Sequence, residues 1–479
     1  MRFISTRGQS APVSAAEAIV RGLAPDGGLY VPEEIPRLPQ GFLEKIAPMT
    51  YPQRAAEVLK LYLPEFDGLD GMCERAYSRF DDRTGPAPLV FYANSLPYVL
   101  ELYHGPTCAF KDMALQLLPH LLTKSLEMTG EDREICILTA TSGDTGKAAL
   151  EGFRDIEGTR VLVFYPQEGV SSIQKLQMTT QEGGNVGVCG IHGNFDDAQT
   201  AVKRVFSDKE FAKNLPGVAL SSANSINLGR LLPQIAYYIS AVADLMSAKG
   251  INLQEKPVDV CVPTGNFGNI LAAWYAKQMG APIGKLLCAS NKNDVLTELM
   301  HDGVYASDRE FYTTISPSMD ILVSSNWERA LFELSGHDWQ YTAECMESLR
   351  AKGKYEVRSD IAEAIKRRFD AATCDDDRTR AVIAEVFERS GKIIDPHTAV
   401  AFDMAMRYME TSERPCIAVS TAHPAKFPEA VGQALEGKAV IDEPTPLRGI
   451  LERPVRFGKT VSKDRVSEVV KEFAITGKV

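Results

Sequence analysis

Hydrophobic and polar positions follow a regular pattern between residues 133 and 300. Short runs of β-branched and other apolar residues predict buried strands, and each is followed by a longer segment with the periodicity of an amphipathic helix. The predicted strands are Glu134–Thr139, Arg160–Tyr165, Val186–Ile191, Val258–Val262 and Lys285–Ala289. The predicted helices are Thr145–Arg154, Ser171–Thr180, Asp196–Phe206, Leu228–Ser247, Asn269–Met279 and Asp294–Met300. Apolar strands that alternate with helices indicate a parallel sheet covered by helices, the α/β class.

The pattern changes on both sides of this stretch. Residues up to Phe80 are rich in Pro and Gly, with one clear helical pattern at Tyr51–Leu63. Gly303–Lys392 is more polar and mostly helical in pattern, which predicts an insertion or a helical flank. Arg414–Ser420 predicts one last core strand. The segment Pro444–Pro454 holds three prolines and is predicted to lead the tail back over the surface.

Length and composition indicate a soluble enzyme of two or three compact units. The chain has 479 residues, of which 44% are hydrophobic and 24% charged. A net charge of −11 argues against a general nucleic-acid surface, so an anionic ligand needs a local cluster of donors. No apolar run approaches membrane-spanning length, and the N-terminus lacks the apolar core of a signal peptide. We therefore expect a cytoplasmic protein that binds neither membranes nor nucleic acid.

Cysteine and histidine usage gives no sign of a disulfide framework or a metal site. The nine cysteines are spread along the chain without a Cys-x-x-Cys pair, and no His-Glu-x-x-His motif occurs. Several of the cysteines lie within apolar runs, where a buried free thiol is the ordinary interpretation. We expect no metal.

Lys111 stands in a local context suited to a nucleophilic amine. It follows a Gly-Pro turn at Gly105 and Pro106 and the apolar pair Ala109 and Phe110, at the predicted start of a helix. A lysine becomes a nucleophile when burial or neighbouring positive charge lowers its pKa. Most lysines are solvated surface groups, so Lys111 gains weight only from the loops that accompany it.

Three turns that each precede a predicted helix are rich in Gly, Ser, Thr and Asn. Ligands of parallel sheets bind at the carboxyl ends of strands, where small residues let backbone N–H groups approach an anion. The three turns are Thr139–Lys147, Ser222–Arg230 and Pro263–Asn269. The first is not a nucleotide P-loop, because Thr141 and Ala148 stand where that motif has Gly and Ser or Thr. The third has only two glycines, so a dinucleotide fingerprint fails as well.

Single residues in these turns also have ordinary structural explanations. Asn and Ser are common helix caps, and a tight turn is as good an explanation of Pro263–Asn269 as a phosphate site. Arg230, one turn into its predicted helix, is suited to a two-point contact with a phosphate or carboxylate. A fourth segment, Ser420–Lys426, follows the last predicted strand and offers hydroxyl groups to a heteroaromatic nitrogen.

These loops and Lys111 resemble the threonine synthases, a branch of the fold-type II pyridoxal 5'-phosphate (PLP) enzymes, whose fold is that of the tryptophan synthase β subunit. The most specific parts are the N-terminal segments and the Phe110-Lys111-Asp112 context. The matching segments are Ser5–Gly8, Gly22–Leu29, His104–Lys111, Thr139–Gly146, Gly193–Asp197, Asn224–Arg230, Gly265–Asn269 and Ala422–Phe427. The resemblance implies a fold of two parallel-sheet lobes plus an N-terminal domain.

The resemblance also implies a role for each matching residue. Lys111 forms the Schiff base with PLP, and Thr421 or Ser420 faces the ring nitrogen. Asp144 lies near the phenolic oxygen, where many relatives have Asn, so it shares a proton with that oxygen or titrates with it. The residues that hold the cofactor phosphate are Gly265, Asn266, Phe267, Gly268 and Asn269. Those that bind the substrate carboxylate are Thr141, Ser142, Gly143 and Thr145, and those that bind the substrate phosphate are Asn224, Ser225, Asn227 and Arg230, with Lys175.

The implied organisation is an N-terminal domain over residues 1–88 and a two-lobed catalytic region over 89–430 that includes the polar helical insertion at about 303–392. A C-terminal segment over 431–479 is expected to pack on the catalytic region. The implied reaction turns O-phospho-L-homoserine and water into L-threonine and phosphate, in a monomer or homodimer. A phospholyase or an amino-acid dehydratase of the same fold is the alternative, although a plain dehydratase does not need the phosphate site. A third hypothesis is that the protein binds a ligand without catalysing a reaction. The presence of Lys111 and of all three small-residue turns disfavours it.

Overall fold

The strands form two large sheets and two small ones in the part of the chain that the structure describes. The computed structural model describes residues 1–81, 83–141, 143–167, 170–193, 195–208, 210–211, 214–215, 217–249 and 251–479. The strands are β1 Arg2–Ser5, β2 Val13–Ser14, β3 Tyr30–Pro32, β4 Leu89–Phe91, β5 Tyr98–Glu101, β6 Glu134–Ala140, β7 Thr159–Pro166, β8 Val186–Ile191, β9 Val218–Ser222, β10 Val258–Pro263, β11 Ile283–Ser290, β12 Val304–Ala306, β13 Lys354–Glu356, β14 Phe369–Thr373, β15 Cys416–Ser420 and β16 Thr460–Val461.

Helices cover these sheets. They separate successive parallel strands, as a βα alternation requires. The described helices are Ala15–Arg21, Phe42–Ile46, Tyr51–Tyr62, Leu69–Tyr77, Asp112–Leu115, Leu118–Thr129, Asp144–Gly152, Ser172–Thr179, Phe195–Ser207, Leu228–Lys249, Gly268–Met279, Val295–Asp302, Trp327–Leu334, Trp339–Lys352, Ser359–Arg368, Asp376–Ser390, Pro396–Met409, Pro428–Leu435 and Val466–Thr476.

The larger sheet has the strand order β14-β11-β10-β15-β5-β4. All of its pairs are parallel except the edge pair β4 and β5. Each residue of β10 is buried, as expected for a central strand with helices on both faces. The smaller sheet, β16-β8-β7-β6-β9, is parallel throughout. The structure therefore confirms the expected α/β class with two parallel-sheet lobes.

The N-terminal residues form a separate small sheet that packs on the catalytic lobes through helices. β1 pairs antiparallel with β2 and β3, and Tyr51–Tyr62 lies against Leu228–Lys249. Arg54 joins these two helices, since its Nη1 donates to Ser240 Oγ at 2.9 Å and to Asp244 Oδ1 at 2.6 Å.

The structure adds detail to two expectations about the rest of the chain. Residues 303–392 contain four α-helices, in line with the mostly helical pattern, and also three strands: β12 pairs with β13, and β14 extends the larger sheet beside β11. β14 lies at the edge and is partly exposed, so its residues lack the apolar run that marks a central strand. The tail adds a strand and a helix to the smaller lobe. After the prolines, β16 pairs with β8, and the helix Val466–Thr476 buries Phe473 in the smaller lobe.

Within the described ranges, no helix is both long and apolar enough to cross a membrane. The same residues contain no group of three or more His, Cys, Asp or Glu side chains placed to hold a metal ion. The nine cysteines are buried and free.

Candidate active site

Lys111 lies between the two lobes because its loop is bonded to the segment after β15. Phe110 N donates to Thr421 O at 2.8 Å, and His423 N donates to Cys108 O at 3.1 Å. Lys111 immediately precedes the short helix Asp112–Leu115, as its sequence context predicted. The side chain is 12% exposed, so the amine is largely removed from water.

Burial and charge leave the Lys111 amine easier to deprotonate than a surface lysine. Burial lowers the pKa of Lys111, Asp144 raises it, and the positive charges of Arg230 and Lys426 lower it, with a net value of about 8. Its Nζ lies 3.6 Å from Asp144 Oδ2 and 4.8 Å from the centre of the Phe110 ring. This arrangement suits a lysine that must react as a free amine.

Asp144 is surrounded by donors that the sequence did not reveal. Its Oδ1 accepts a hydrogen bond from Gln174 Nε2 at 2.7 Å and lies 2.7 Å from Lys426 Nζ. Its Oδ2 accepts from Ser318 Oγ at 3.3 Å. Burial raises the pKa of Asp144, but the charges of Lys426 and Lys111 outweigh burial and hold it well below its usual range. Asp144 is therefore a carboxylate in this site.

The turn after β6 is shaped by a threonine hydroxyl. Thr141 Oγ1 accepts hydrogen bonds from the N–H groups of Gly143 and Gly146, both at 2.9 Å. Gly143 has φ +135°, and a Cβ there would lie 2.6 Å from Gln174 Cδ, so this position requires glycine. Thr145 is half-buried in the first turn of the following helix. Ser142 lies outside the described residues.

The turn after β10 forms a narrow cradle at a helix N-terminus. Phe267 has φ +63° and precedes the helix Gly268–Met279, and its ring packs in the core against Trp327 at 5.2 Å. A Cβ on Gly265 would lie 3.0 Å from Ser318 O. Asn266 is exposed at the turn. Asn269 is buried, with Oδ1 accepting from two tyrosine hydroxyls, while its Nδ2 has no hydrogen-bond partner within the described ranges.

Residues of the turn after β9 are of two kinds: most are hydrogen-bonded within the protein, whereas Arg230 keeps a donor that is unpaired among the described residues. Asn227 uses both amide atoms within the protein: Nδ2 donates to Ile19 O at 3.0 Å, and Oδ1 accepts from Gly229 N at 2.8 Å. Ser225 Oγ is 3.2 Å from Ser325 Oγ, and Asn224 is half-buried.

Arg230, in contrast, is 3% exposed, and its Nε has no hydrogen-bond partner among the residues that the structure describes. Its Nη1 donates to Ala223 O at 3.0 Å. Burial lowers the pKa of Arg230 to about 10, because nothing among its described contacts fully replaces water around the charge. A buried guanidinium with a free donor is suited to an anionic ligand.

Thr421 and Lys175, the remaining predicted site residues, differ in exposure. Thr421 is buried beside Lys111, while the hydroxyl of its neighbour Ser420 is paired with Thr398 Oγ1 at 3.0 Å. Lys175 is exposed, whereas the adjacent Gln174 makes the contact with Asp144.

These residues fit PLP. A partly buried lysine of lowered pKa is available for an aldehyde. The cradle at Gly268–Met279 offers first-turn N–H groups that have no partner within the helix, as a phosphate requires. Two buried nitrogen donors, Arg230 Nε and Asn269 Nδ2, have no partner among the described residues, which is the state expected of groups whose partners belong to a ligand.

Comparison with known proteins assigns the chain to a family. Residues 2–77 match the family model described as threonine synthase N terminus, residues 82–421 that of pyridoxal-phosphate dependent enzymes, and residues 398–473 that of the threonine synthase C-terminal region. The threonine synthase of Pseudomonas aeruginosa is 40% identical over 464 residues, which cover 95% of each chain. The chain belongs to the threonine synthase family. PLP is therefore its cofactor, and the sequence-based expectation of this fold and cofactor is confirmed.

Solved structures and longer relatives agree with membership of the threonine synthase family. The crystal structure of PLP-bound threonine synthase from Brucella melitensis superposes with a TM-score of 0.90 at 37% identity, covering 99% of this chain and 100% of that one. A human protein named threonine synthase-like 1 is 42% identical over 439 residues, and the chain spans 58% of its length.

Proposed function

We propose that this threonine synthase family member converts O-phospho-L-homoserine and water into L-threonine and phosphate. The observation that carries the proposal is Arg230, a buried guanidinium with an unpartnered Nε whose charge acts on the Lys111 amine. An arginine in this position suits a substrate with a phosphate group, because a buried guanidinium without an anion costs several kcal/mol. A plain amino-acid dehydratase does not need that group.

Four groups of residues share the binding of cofactor and substrate in this proposal. Thr421 faces the cofactor ring nitrogen, because the hydroxyl of Ser420 is already engaged. The cofactor phosphate lies against the first turn of Gly268–Met279. The turn that contains Gly143 takes the substrate carboxylate through its backbone N–H groups. Arg230, with the exposed Lys175 as a mobile second cation, takes the substrate phosphate.

Lys111 is the group placed to move protons. PLP, when bound, withdraws electrons from the substrate carbon atoms next to the amine and so stabilises negative charge there. Lys111, which attaches the cofactor, removes protons at Cα and Cβ as a free amine while phosphate leaves Cγ. It returns one proton at Cγ and one at Cα, while water adds its hydroxyl at Cβ and its remaining proton goes to the released phosphate. A lysine whose pKa is about 8 is near the optimum for both directions of transfer at neutral pH.

A product assay with two variants tests the proposal. The native protein is expected to form L-threonine and phosphate in equal amounts, and Lys111→Ala neither. Arg230→Ala removes charge-assisted hydrogen bonds worth about 1.5–3 kcal/mol each, so kcat/KM is expected to fall about 100-fold or more. Arg465→Ala, at a 65% exposed side chain, is the matched control and leaves the rate unchanged.

Two results would contradict the proposal. Phosphate released together with 2-oxobutanoate, without threonine, assigns the protein to elimination chemistry. An unchanged KM for O-phospho-L-homoserine in Arg230→Ala removes Arg230 from the phosphate site.

The proposal also covers the setting of the enzyme. It acts on a small-molecule substrate as a cytoplasmic monomer or homodimer, with catalytic residues in the region 89–430 and boundaries near 88 and 430. Sedimentation velocity of the purified holoenzyme distinguishes the two oligomeric states.

A further inference from the structure

A second buried lysine, Lys426, lies next to the reactive one. Its side chain is 0% exposed, and its Nζ contacts Asp144 Oδ1 at 2.7 Å and donates to Thr107 O at 2.8 Å. The backbone that carries Lys426 is joined to the Lys111 loop through His423 N and Cys108 O. We propose that Lys426 is a positioning residue that keeps Lys111 in its neutral, nucleophilic form by occupying Asp144. The inference rests on the proposed role of Lys111.

The proposed effect of Lys426 on Lys111 follows from the charge balance of three buried side chains. Lys111, Lys426 and Asp144 lie in one contact network, with Asp144 between the two amines at 3.6 Å and 2.7 Å. With both lysines protonated the trio has a net positive charge, and burial of an unbalanced charge is costly. With Lys111 neutral the trio is balanced. Lys426 has the shorter contact with the carboxylate, so Lys111 is the amine that loses its proton.

Without Lys426, the remaining pair shifts toward the ammonium form of Lys111, although Arg230 still opposes that form. A lone Lys111 and Asp144 are balanced only when Lys111 is an ammonium ion, which cannot attack an aldehyde. Replacing Asp144 instead leaves two like charges together and favours the neutral amine further. The two substitutions therefore act on Lys111 in opposite directions.

The remaining groups around the trio include one further positive charge, Arg230, that lowers the pKa of Lys111. The other charged or titratable side chains that act on the trio are Cys108, Asp112, Lys147, Glu151 and Arg230. Lys147 and Glu151 neutralise each other at 3.0 Å, and burial keeps Cys108 a thiol by raising its pKa to about 12. Burial raises the pKa of Asp112 to about 6. Arg230 adds positive charge and so acts in the same direction as Lys426.

The pH dependence of cofactor attachment measures the proposed effect. Apoenzyme is mixed with PLP between pH 6.5 and 10, samples are reduced with borohydride at timed intervals, and the modified peptide is quantified by mass spectrometry. In the attachment step Lys111 Nζ forms a C=N bond with the aldehyde carbon, and the aldehyde oxygen leaves as water. The rate follows the fraction of Lys111 that is neutral.

The variants have opposite expected shifts. A unit charge roughly 6–8 Å away at an effective dielectric constant of about 20 changes a pKa by about 1.5–2 units. We expect the midpoint to rise by about that amount in Lys426→Met and to fall in Asp144→Asn. The double variant is expected to lie between the two single variants and below the native midpoint, because Asp144 is the closer of the two charges to Lys111. Lys426→Arg stays near the native midpoint because the charge is kept. Lys438→Met, at a 53% exposed side chain, is the matched control and causes no shift.

The outcomes separate this inference from the one on which it rests. Shifts of opposite sign support it. A midpoint for Lys426→Met that equals the native one, or shifts of equal sign in the two single variants, overturns it while leaving Lys111 assigned. An adduct on a lysine other than Lys111 overturns the assignment of Lys111 and the role of Lys426 together. Circular dichroism checks the fold of each variant, and Asp144→Asn alone still tests the sign where Lys426→Met does not fold.

Discussion

Replacing Arg329 is expected to loosen the connection between the N-terminal sheet and the turn after β9. Arg329 lies in Trp327–Leu334 and is 0% exposed. Its guanidinium donates to three backbone carbonyls, those of Tyr30 at 2.9 Å, Ser225 at 3.4 Å and Ile226 at 2.6 Å. Tyr30 belongs to β3, while the other two precede Arg230 in the turn after β9.

The expected loss of stability is the difference between two opposing effects. Burial lowers the pKa of Arg329 from 12.5 to about 10, so Arg329→Met relieves a charge-burial cost of about 3 kcal/mol. The same change leaves three carbonyl groups without this donor, at about 1–3 kcal/mol each. The second effect is larger, and we expect a net loss of about 2–4 kcal/mol in the free energy of unfolding.

Arg329→Lys distinguishes this reasoning from a simple need for positive charge. A lysine keeps the burial cost but cannot direct donors to carbonyls on two separate segments, so it is expected to be at least as destabilising as methionine. Urea unfolding followed by tryptophan fluorescence measures both, with Arg350→Met, at a 76% exposed side chain, as the control. KM for O-phospho-L-homoserine is expected to rise more than kcat falls, because the turn positions Arg230. A lysine variant with native stability and native KM would refute the account.

Three further predictions test other contacts. Gly143→Ala is expected to lower PLP occupancy at least tenfold, because the added Cβ would displace Gln174 from Asp144. Absorbance titration measures the occupancy, and a native value would show that the turn tolerates a side chain at this position. Glu328→Gln weakens the two-point contact with Arg7 by about 2–4 kcal/mol, measured as protease sensitivity of the N-terminal segment. Burial raises the pKa of Asp112 from 3.8 to about 6. The contribution of Asp112 to the free energy of unfolding is therefore present below pH 4 and lost by pH 6. As the pH rises from 4 to 6, the stability of Asp112→Asn is expected to increase by about 2–3 kcal/mol relative to that of the native chain. Equal profiles of unfolding free energy against pH would refute this.

The βα pattern was readable from sequence because its strands are central and its helices have one apolar face. β8 has the predicted bounds Val186–Ile191, and the helix predicted at Asn269–Met279 begins one residue earlier. Elements without that signal were missed. β9 is a short strand with half-buried positions, and the two-residue β16 is defined only by its pairing with β8.

The site was readable to the extent that its residues lie in distinctive turns. Lys111 and Arg230 were singled out because an anion and an aldehyde require such residues beside small-residue loops, and their roles stay predictions. Asn227 shows the limit, since the same asparagine serves equally as a cap, and its amide is fully used within the fold. The partners of Asp144 were missed because they come from distant positions: Ser318 lies 174 residues away and Gln174 lies 30.

The region 303–392 has a structural function at the site that its polar composition concealed. Ser318 contacts Asp144, and Asn326 binds both loops, donating from Nδ2 to Ser225 O at 3.2 Å and from N to Asn266 O at 3.1 Å. Polar residues here satisfy the backbone of turns that must remain open to a ligand, so they cannot be replaced by apolar packing. The segment thus contacts Asp144 and the backbone of two of the predicted ligand-binding turns. A polar frame, rather than an apolar core, fixes the backbone of these loops.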